Sequence, residues 1–238
     1  MVFSRHPDVL YPKVWHKFTI QRGSSSVTLR VQDLTEDLFE PAVQMLLAYF
    51  TRDEPPCRCV DINKYPSAVA ELEKLWRKTL KDKLSLACVE DKEGGQLVGV
   101  NVLTVVSKED KDEEFHTEDK VWASLFGAVD FVSRAVDVYQ HYGVDQYLTA
   151  YGLVVPPSWR GCKIGKEILL ARIPLCKALG IKATVTVFTA SASQAVAMKA
   201  GFEVIYQISY EELAKKGFIF PNIEKDTKYS KLMGLAID

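Results

Sequence analysis

The sequence predicts an α/β protein with a mixed central sheet of about seven strands and helices on both faces. Short β-prone runs alternate with helical patterns along most of the chain. Two of these runs flank the glycine-containing turn at 91–95 and indicate a hairpin, which is an antiparallel pair. A helical pattern joins the apolar runs that begin at residues 146 and 181, and such a crossover indicates a parallel pair. A sheet that contains both kinds of pair is mixed.

The first half of the chain predicts a strand, two helices and the hairpin. Asp33 and Thr35 are candidate caps for the first helix, and Ser67 is a candidate N-cap for the second. The predicted elements are a strand at 27–31, a helix that ends before Pro55 and Pro56, a helix at 68–81, and strands at 85–90 and 96–106.

The second half predicts strands that alternate with helices. The helical pattern at 121–142 is apolar on more than one face, which is typical of a helix buried on two sides or covering a pocket. Gly143 ends it, and the charged segment 108–120 before it indicates a solvated loop. The remaining predicted elements are a strand from Gln146, a helix at 164–179 ended by Gly180, a strand at 181–188, a short helix before Gly201, a strand at 203–210, and an edge strand from the tail 215–238.

Composition and charge favour one domain that binds neither nucleic acid nor a membrane. The 238 residues suffice for one substantial core, and we expect a single domain over 1–238 with an N-terminal arm at 1–23. The 30 basic and 31 acidic residues lack the excess of positive charge that polyanion binding requires. Neither a membrane-spanning run nor the apolar core of a signal peptide is evident. We therefore expect a cytoplasmic monomer.

The cysteines and histidines do not form a recognisable metal or nucleophile pattern. Cys57 and Cys59 are separated by one residue, which is not the spacing of a zinc pair, and the four histidines are isolated. The five cysteines are odd in number and scattered, as is typical of reduced thiols. We expect no metal.

The segment 148–171 predicts a phosphate site at a turn between a strand and a helix. Pro156 and Pro157 stop the strand, and a glycine-containing turn leads into the helix. The first N–H groups of such a helix are unpaired and lie at the positive end of its dipole, where they favour a phosphate group. An ordinary strand-to-helix connection remains the alternative. The candidate cofactor-binding residues are Leu153, Val154, Val155, Arg160, Gly161, Cys162, Lys163, Ile164, Gly165 and Lys166.

Three motifs resemble those of known acetyltransferases. The spacing from Arg160 to Gly165 resembles the pyrophosphate turn of the GNAT superfamily, Arg/Gln-x-x-Gly-x-Gly/Ala, although Lys163 occupies the position of the first glycine. The triplet Asp53-Glu54-Pro55 resembles one in the insect arylalkylamine N-acetyltransferases. The segment 189–202 resembles the closing part of the GNAT domain.

The third motif departs from the broad superfamily in the way that the insect family does. Ala197 stands where most GNAT enzymes have a tyrosine that acts as the acid, whereas Thr189 and Ser193 match hydroxyl positions of the insect enzymes. The resemblance implies the GNAT fold, acetyl-CoA as co-substrate, and amines such as dopamine, serotonin, tryptamine or octopamine as acceptors. It also implies that Glu54 is the general base and that Ser193 and Thr189 take part in catalysis.

The candidate acceptor site combines the triplet with aromatic residues of the helical patterns. We expect Phe50, Asp53, Pro55, Trp122 and Phe126 to bind the substrate, and Phe131 and Tyr139 to extend the same apolar slot. Without the resemblance, Glu54 reads as a solvated residue after a helix, and Ser193 as a helix cap.

Several functions remain open on the sequence. The acceptor could be a polyamine, agmatine or another non-aromatic amine, and the donor could be a longer acyl-CoA. An acetyltransferase that modifies proteins is less well supported, because the long helical segment before the central strand suits a closed pocket. Lys163 favours a further alternative, a CoA-binding module without turnover.

Overall fold

The computed structural model describes residue 3 and residues 5–110 and 117–238. The predicted charged loop at 108–120 therefore lies partly outside the described residues. The strands are β1 Val14–Arg22, β2 Ser25–Asp33, β3 Leu86–Glu90, β4 Leu97–Ser107, β5 Gln146–Val154, β6 Ala183–Phe188, β7 Glu203–Ser209 and β8 Tyr229–Ala236. The helices are α1 Phe39–Met45, α2 Thr51–Asp53, α3 Pro55–Cys59, α4 Pro66–Leu80, α5 Lys120–Ser133, α6 Val138–Tyr142, α7 Ile164–Leu179, α8 Ser191–Lys199 and α9 Tyr210–Lys215.

The eight strands form one mixed sheet in the order β1-β2-β3-β4-β5-β6-β8-β7. Its class is as predicted, with one strand more than expected. The additional strand is β1, which forms the last part of the predicted N-terminal arm and pairs with β2. Trp15 and Ile20 of β1 are buried in the core, so this segment is part of the packed sheet.

The prediction that the tail forms an edge strand was wrong. Strand β8 lies between β6 and β7 and pairs antiparallel with both, and β7 is at the edge. The physical reason is burial: Leu232, Met233 and Gly234 of β8 are buried, whereas Glu203 and Val204 of β7 are exposed.

The first helix ends before Pro55, as predicted, whereas the prediction of a single helix at 121–142 was wrong. Pro55 lies in the first turn of α3, where the missing N–H group costs nothing, so it begins a helix after the first helix has ended at Asp53. Between α1 and α2 the chain forms a π-helical segment, Leu46–Phe50. The pattern at 121–142 is two helices, because the carboxylate of Asp137 accepts a hydrogen bond from Gln140 N (3.0 Å) and caps α6.

The predicted N-caps also differ from the observed ones. Asp33 is buried and accepts a hydrogen bond from Trp15 Nε1 (2.7 Å). Thr35 forms no side-chain cap. Tyr65 rather than Ser67 occupies the N-cap position of α4. By contrast, α7 has the predicted bounds, and Gly180 follows it in the left-handed conformation (φ 69°).

The helices pack on both faces of the sheet. On one face, α7 covers strands β2 to β5 with Ile164, Ile168 and Leu175, which are buried against β-strand side chains. On the other face, α1, α4 and α5 contribute to a second large cluster that includes Trp76 and Trp122. Strands β5 and β6 form a parallel pair, as predicted, but they are bridged at one register position, Leu148 with Thr184. Beyond this position the two strands separate toward their C-terminal ends.

Candidate active site

A cavity of about 980 Å³ lies where β5 and β6 separate. It extends from the start of α7 and the N-terminal part of α8 to the leucines of α4 and the aromatic side chains of α5 and the π-helical segment. With the exception of Cys162, Phe131 and Tyr139, every predicted catalytic, cofactor-binding and substrate-binding residue lines this cavity. Cys162 packs beside the core cluster under α7 instead.

A bulge in β5 shapes the wall of the cleft. Val102 pairs with Gly152 and Leu103 with Ala150, so Tyr151 is the extra residue in β5. Two side chains hold the displaced backbone: Trp76 Nε1 donates to Tyr151 O (2.9 Å) and Asn101 Nδ2 donates to Gly152 O (2.7 Å). The following residues of β5 line the cavity.

The turn before α7 adopts the conformation that a glycine-rich phosphate turn requires. Lys163 is the N-cap of α7 and has φ 63° and ψ 5°, a left-handed conformation that is favourable for glycine. No side chain caps this helix, so its first N–H groups have no side-chain acceptor there. A Cβ at Gly165 would contact Val196 Cγ1 at 3.6 Å, an ordinary van der Waals distance. The backbone conformation of the turn is thus retained despite the lysine.

Arg160 links this turn to the loop that carries Glu54. Its Nη2 lies 2.5 Å from Asp53 Oδ2, and its Nε donates to Val155 O (3.0 Å). Arg52 also pairs with Asp53 (2.6 Å). Hydrogen bonds from Arg52 and then from Arg160 lower the pKa of Asp53 to about 2. The charge of Asp53 is therefore already compensated by two arginines.

Glu54 lines the cavity and is held by two hydrogen bonds. It is the N-cap of α3, and its Oε2 accepts from Cys57 N (2.8 Å). Its Oε1 accepts from Thr189 Oγ1 (2.6 Å). Burial raises the pKa of Glu54 above its usual value, and the hydrogen bonds from Thr189 and Cys57 oppose that rise. The site therefore holds a half-buried carboxylate in a fixed orientation.

The two predicted hydroxyl residues have different surroundings. Thr189 follows β6 directly and donates to Glu54. Ser193 Oγ donates to Ala190 O (2.9 Å) within the first turn of α8. Ala190 is the N-cap of α8, so Ser193 is not a helix cap. Both hydroxyls line the cavity.

The acceptor side of the cavity is apolar and aromatic. The rings of Trp122 and Phe126 are 5.2 Å apart, and Phe126 is 6.4 Å from Tyr151. Phe50 packs edge-on against Trp76 (5.5 Å). Several residues that line this side were not predicted from the sequence, because a core residue and a pocket residue give the same apolar pattern. These residues are Tyr49, Leu72, Leu75, Leu125, Val129 and Tyr151.

Phe131 and Tyr139 do not belong to this wall, contrary to the sequence-based expectation. Phe131 packs against Phe218 (5.8 Å) and Tyr139 against Tyr147 (5.5 Å), and neither lines the cavity. The break between α5 and α6 separates Tyr139 from Trp122 and Phe126, whereas Phe131 lies on α5 itself and its ring contacts Phe218 outside the cavity.

Charge is unevenly distributed around the cavity. The described lining residues include two carboxylates, Asp53 and Glu54. The basic lining residues are Arg160, Lys163, Lys166, Arg172 and Lys199. The helices and strands of the described part contain no group of three or more His, Cys, Asp or Glu residues arranged to hold a metal ion. Over the same described ranges, no helix has both the length and the apolar character needed to cross a membrane.

The chain is similar to solved acetyltransferase structures over nearly its full length. No protein-family model and no curated protein matches it. It is 38% identical to a candidate arylalkylamine N-acetyltransferase 7 of the yellow fever mosquito Aedes aegypti, with a TM-score of 0.94, and the match covers 99% of this chain and 100% of that chain.

Two more distant structures share the fold. Arylalkylamine N-acetyltransferase 2 of Aedes aegypti is 19% identical, with a TM-score of 0.77, and the match covers 88% of this chain and 99% of that chain. The Drosophila melanogaster polyamine N-acetyltransferase, which forms N-acetylagmatine, is 15% identical, with a TM-score of 0.69 and the same two coverages, 88% and 99%. At these identities the likeness concerns the fold alone.

Proposed function

Since this chain belongs to the insect arylalkylamine N-acetyltransferase family of the GNAT superfamily, and is therefore an acyltransferase, we propose that it transfers the acetyl group of acetyl-CoA to small arylalkylamines. Dopamine, serotonin and tryptamine are the acceptors that we propose first. The observation that carries this proposal is the position of Glu54: a half-buried carboxylate lines the same cavity as the aromatic rings of Trp122 and Phe126 and the N-terminus of α7.

Glu54 is the proposed general base. An alkylamine with a pKa of about 10.4 is almost wholly protonated at neutral pH, so a proton must be removed before the nitrogen can attack. Burial raises the pKa of Glu54, which makes its carboxylate a stronger base than an exposed glutamate. Thr189 and Cys57 hold the carboxylate on two sides. We therefore assign to Thr189 the positioning of Glu54.

The turn before α7 is the proposed phosphate site. The free N–H groups at the start of α7 and the side chains of Lys163 and Lys166 fit an anionic pyrophosphate group. Acetyl-CoA, when bound, supplies the thioester to be cleaved. Arg160 pairs with Asp53 and would bind the phosphates by exchanging Asp53 for a phosphate oxygen. This exchange would connect cofactor binding to the loop that carries Glu54.

The end of β5 and α8 flank the proposed reaction centre. Backbone N–H groups near Leu153, Val154 and Val155 would polarise the thioester carbonyl. The hydroxyl of Ser193 would donate a hydrogen bond to the departing thiolate. The amine attacks the acyl carbon directly: Cys57, the cysteine beside Glu54, is buried and its thiol pKa is raised well above the usual value, which disfavours an acetyl-cysteine intermediate.

The lining of the acceptor pocket favours aromatic monoamines over polyamines. A diamine or agmatine carries a second cation, which requires a carboxylate or another acceptor deep in the pocket. Among the described lining residues, Asp53 is already paired with two arginines and Glu54 is the proposed base. Trp122, Phe126 and Tyr151 offer aromatic faces instead.

Thiol release from acetyl-CoA tests this proposal directly. The purified protein is mixed with acetyl-CoA and a panel of amines, and the N-acetyl product is identified by mass spectrometry. We expect release with tryptamine and dopamine. If the protein binds acetyl-CoA but releases no thiol with any amine, it is a CoA-binding module without turnover. If a longer acyl-CoA reacts faster than acetyl-CoA, the longer acyl-CoA is the donor.

A further inference from the structure

Arg172 is a fully buried arginine with an incomplete set of partners. It lies on α7, and its exposed fraction is 0%. Its Nε donates to Asn101 Oδ1 (3.0 Å), and its Nη1 lies within hydrogen-bond distance of Thr184 Oγ1 (3.2 Å) and Thr186 Oγ1 (3.0 Å). Its Nη2 has no hydrogen-bond partner among the residues that the structure describes. All three hydrogen-bond partners are neutral side chains, and the guanidinium carbon also lies over the ring of Phe202, 5.8 Å from its centroid.

This arrangement is energetically unfavourable for the empty protein. A buried cation requires a paired anion, and a buried donor without an acceptor loses its hydration without compensation. Burial lowers the pKa of Arg172 to about 10, so the guanidinium remains charged at neutral pH. An acceptor that carries negative charge would satisfy both needs. Functional sites are where proteins retain such uncompensated groups.

Arg172 lies at the inner end of the cleft. Its partners belong to β4 and β6, the strands nearest to β5 on either side, and Arg172 itself lines the cavity. Asn101 connects it to the bulge, because the amide that accepts from Arg172 also donates to Gly152 O (2.7 Å). The guanidinium is therefore fixed to the part of β5 that borders the proposed thioester site.

The spacing along β6 fits one reaction centre between Arg172 and Glu54. Thr186 contacts Arg172, and Thr189, three residues further on, contacts Glu54. Three residues of extended chain span about 10 Å, and since successive side chains alternate, Thr186 and Thr189 face opposite sides of the sheet. A group in the gap between β5 and β6 is therefore reached from both sides. The reacting group consists of the attacking nitrogen, the acyl carbon and the acyl oxygen. With a hydrogen bond of about 2.9 Å to the base at one end and to the donor at the other, it spans roughly 8 Å from base to donor, and one bridging water adds about 3 Å. A donor for the acyl oxygen is thus expected at this separation from the base.

We propose that Arg172 is a further catalytic residue, which binds the acyl oxygen of the thioester and stabilises the oxyanion formed during acetyl transfer. This inference rests on the proposed function. In the step, the amine nitrogen forms a bond to the acyl carbon, and the electron pair of the C=O bond moves to the oxygen beside Nη2. The C=O bond then re-forms as the C–S bond breaks, and the thiolate leaves with its electron pair. The nitrogen loses its second proton to Glu54, which has by then passed the first, taken from the ammonium form before the attack, to solvent. The products are an amide and, after protonation, a thiol.

Binding of two CoA derivatives tests the contact without turnover. Acetyl-CoA and S-ethyl-CoA differ in the carbonyl oxygen, which the thioether lacks. By calorimetry we expect the wild-type protein to bind acetyl-CoA about tenfold more tightly than S-ethyl-CoA. In Arg172→Met this preference should fall to about twofold or less, with unchanged affinity for S-ethyl-CoA. Binding to the wild-type protein should lower the infrared stretching frequency of an isotope-labelled acetyl carbonyl. In Arg172→Met this frequency should return toward its value in water.

Turnover supplies the second readout. Loss of one oxyanion donor typically lowers kcat by about a hundredfold or more, so we expect at least this decrease in Arg172→Met. Leu175→Val is the matched control, because Leu175 is equally buried on α7 but does not line the cavity. It should retain the wild-type preference and kcat. If Arg172→Met fails to fold, Thr186→Val, which removes one hydroxyl that holds the guanidinium, should reduce both the preference and kcat.

Specific results would overturn the inference. An unchanged preference for acetyl-CoA in folded Arg172→Met would show that the residue does not touch the acyl oxygen. A much tighter affinity of the wild-type protein for succinyl-CoA, lost in the variant, would assign Arg172 to a carboxylate on the acyl chain instead. If the wild-type protein binds acetyl-CoA with the expected preference but no amine is acetylated, the proposed function fails while the contact stands.

Discussion

Replacement of Glu54 by glutamine separates its proposed role as a base from its role in the fold. The side chains have the same shape, and the amide can accept from Cys57 N while it donates to Thr189 Oγ1, so both contacts can be kept. The amide cannot accept the proton of the amine. General base catalysis typically contributes roughly a hundred- to ten-thousand-fold in rate, or about 2.7 to 5.4 kcal/mol in the barrier. We therefore expect kcat for tryptamine to fall by at least a hundredfold in Glu54→Gln, with unchanged affinity for acetyl-CoA.

The pH dependence of Glu54→Gln gives an independent test. The base acts in its ionised form, and its pKa is raised above 4.5, so wild-type kcat/KM should fall as the pH decreases through that raised value. The acidic limb should be absent in Glu54→Gln. A raised pKa also means that the folded protein favours the protonated form: the associated stability is present below pH 4.5 and is lost as the pH rises through the folded pKa. The Tm of Glu54→Gln at neutral pH should therefore equal or exceed that of the wild type.

The assay is continuous detection of thiol release under saturating acetyl-CoA, with Tm measured on the same samples. Glu93→Gln, an exposed glutamate in the hairpin turn, is the matched control and should leave both quantities unchanged. A folded Glu54→Gln protein with wild-type kcat, or with an unchanged acidic limb, would refute the assignment of Glu54 as the base.

Three further variants test the phosphate turn and the support of the base. Gly165→Val should weaken acetyl-CoA binding at least tenfold by calorimetry. Its Tm should change little, because a Cβ there contacts Val196 at an ordinary distance of 3.6 Å. Unchanged affinity would place the phosphates elsewhere. Lys163→Gly should bind acetyl-CoA within about threefold of the wild type and keep its Tm, because glycine readily adopts the φ of 63° found there. Thr189→Val removes a hydrogen bond that lowers the pKa of Glu54, so the acidic limb should move to higher pH; a limb that stays in place would contradict this.

The sequence predicted the parts of the fold that local chemistry determines. The helix α7, its glycine stop at Gly180 and the parallel order of β5 and β6 followed from periodicity and turn residues. The position of β8 between β6 and β7 did not, because the order of strands depends on long-range pairing that leaves no local signal. The end of the first helix before Pro55 was predicted, but the start of α3 at Pro55 was not, since proline is suited both to the end of one helix and to the first turn of the next.

The candidate site was accessible to sequence reasoning where a motif marks it. The triplet at Glu54 and the turn at Arg160 come together in one cavity although they are 106 residues apart in the chain. Arg172 was not identified, because an arginine on a helix is usually a solvated residue and its burial becomes visible only in the packed structure. The predicted cytoplasmic location and monomeric state stay predictions.

Competition between two amines tests the central claim most directly. Burial of an aryl ring against Trp122 and Phe126 removes on the order of 100 Å² of apolar surface from water, worth about 2.5 kcal/mol. With tryptamine and putrescine present together, the ratio of the acetylated products gives the ratio of their kcat/KM values. We predict at least a tenfold preference for tryptamine, and a smaller one in Trp122→Ala. Equal or faster acetylation of putrescine would contradict the arylalkylamine assignment and leave an acetyltransferase for aliphatic amines.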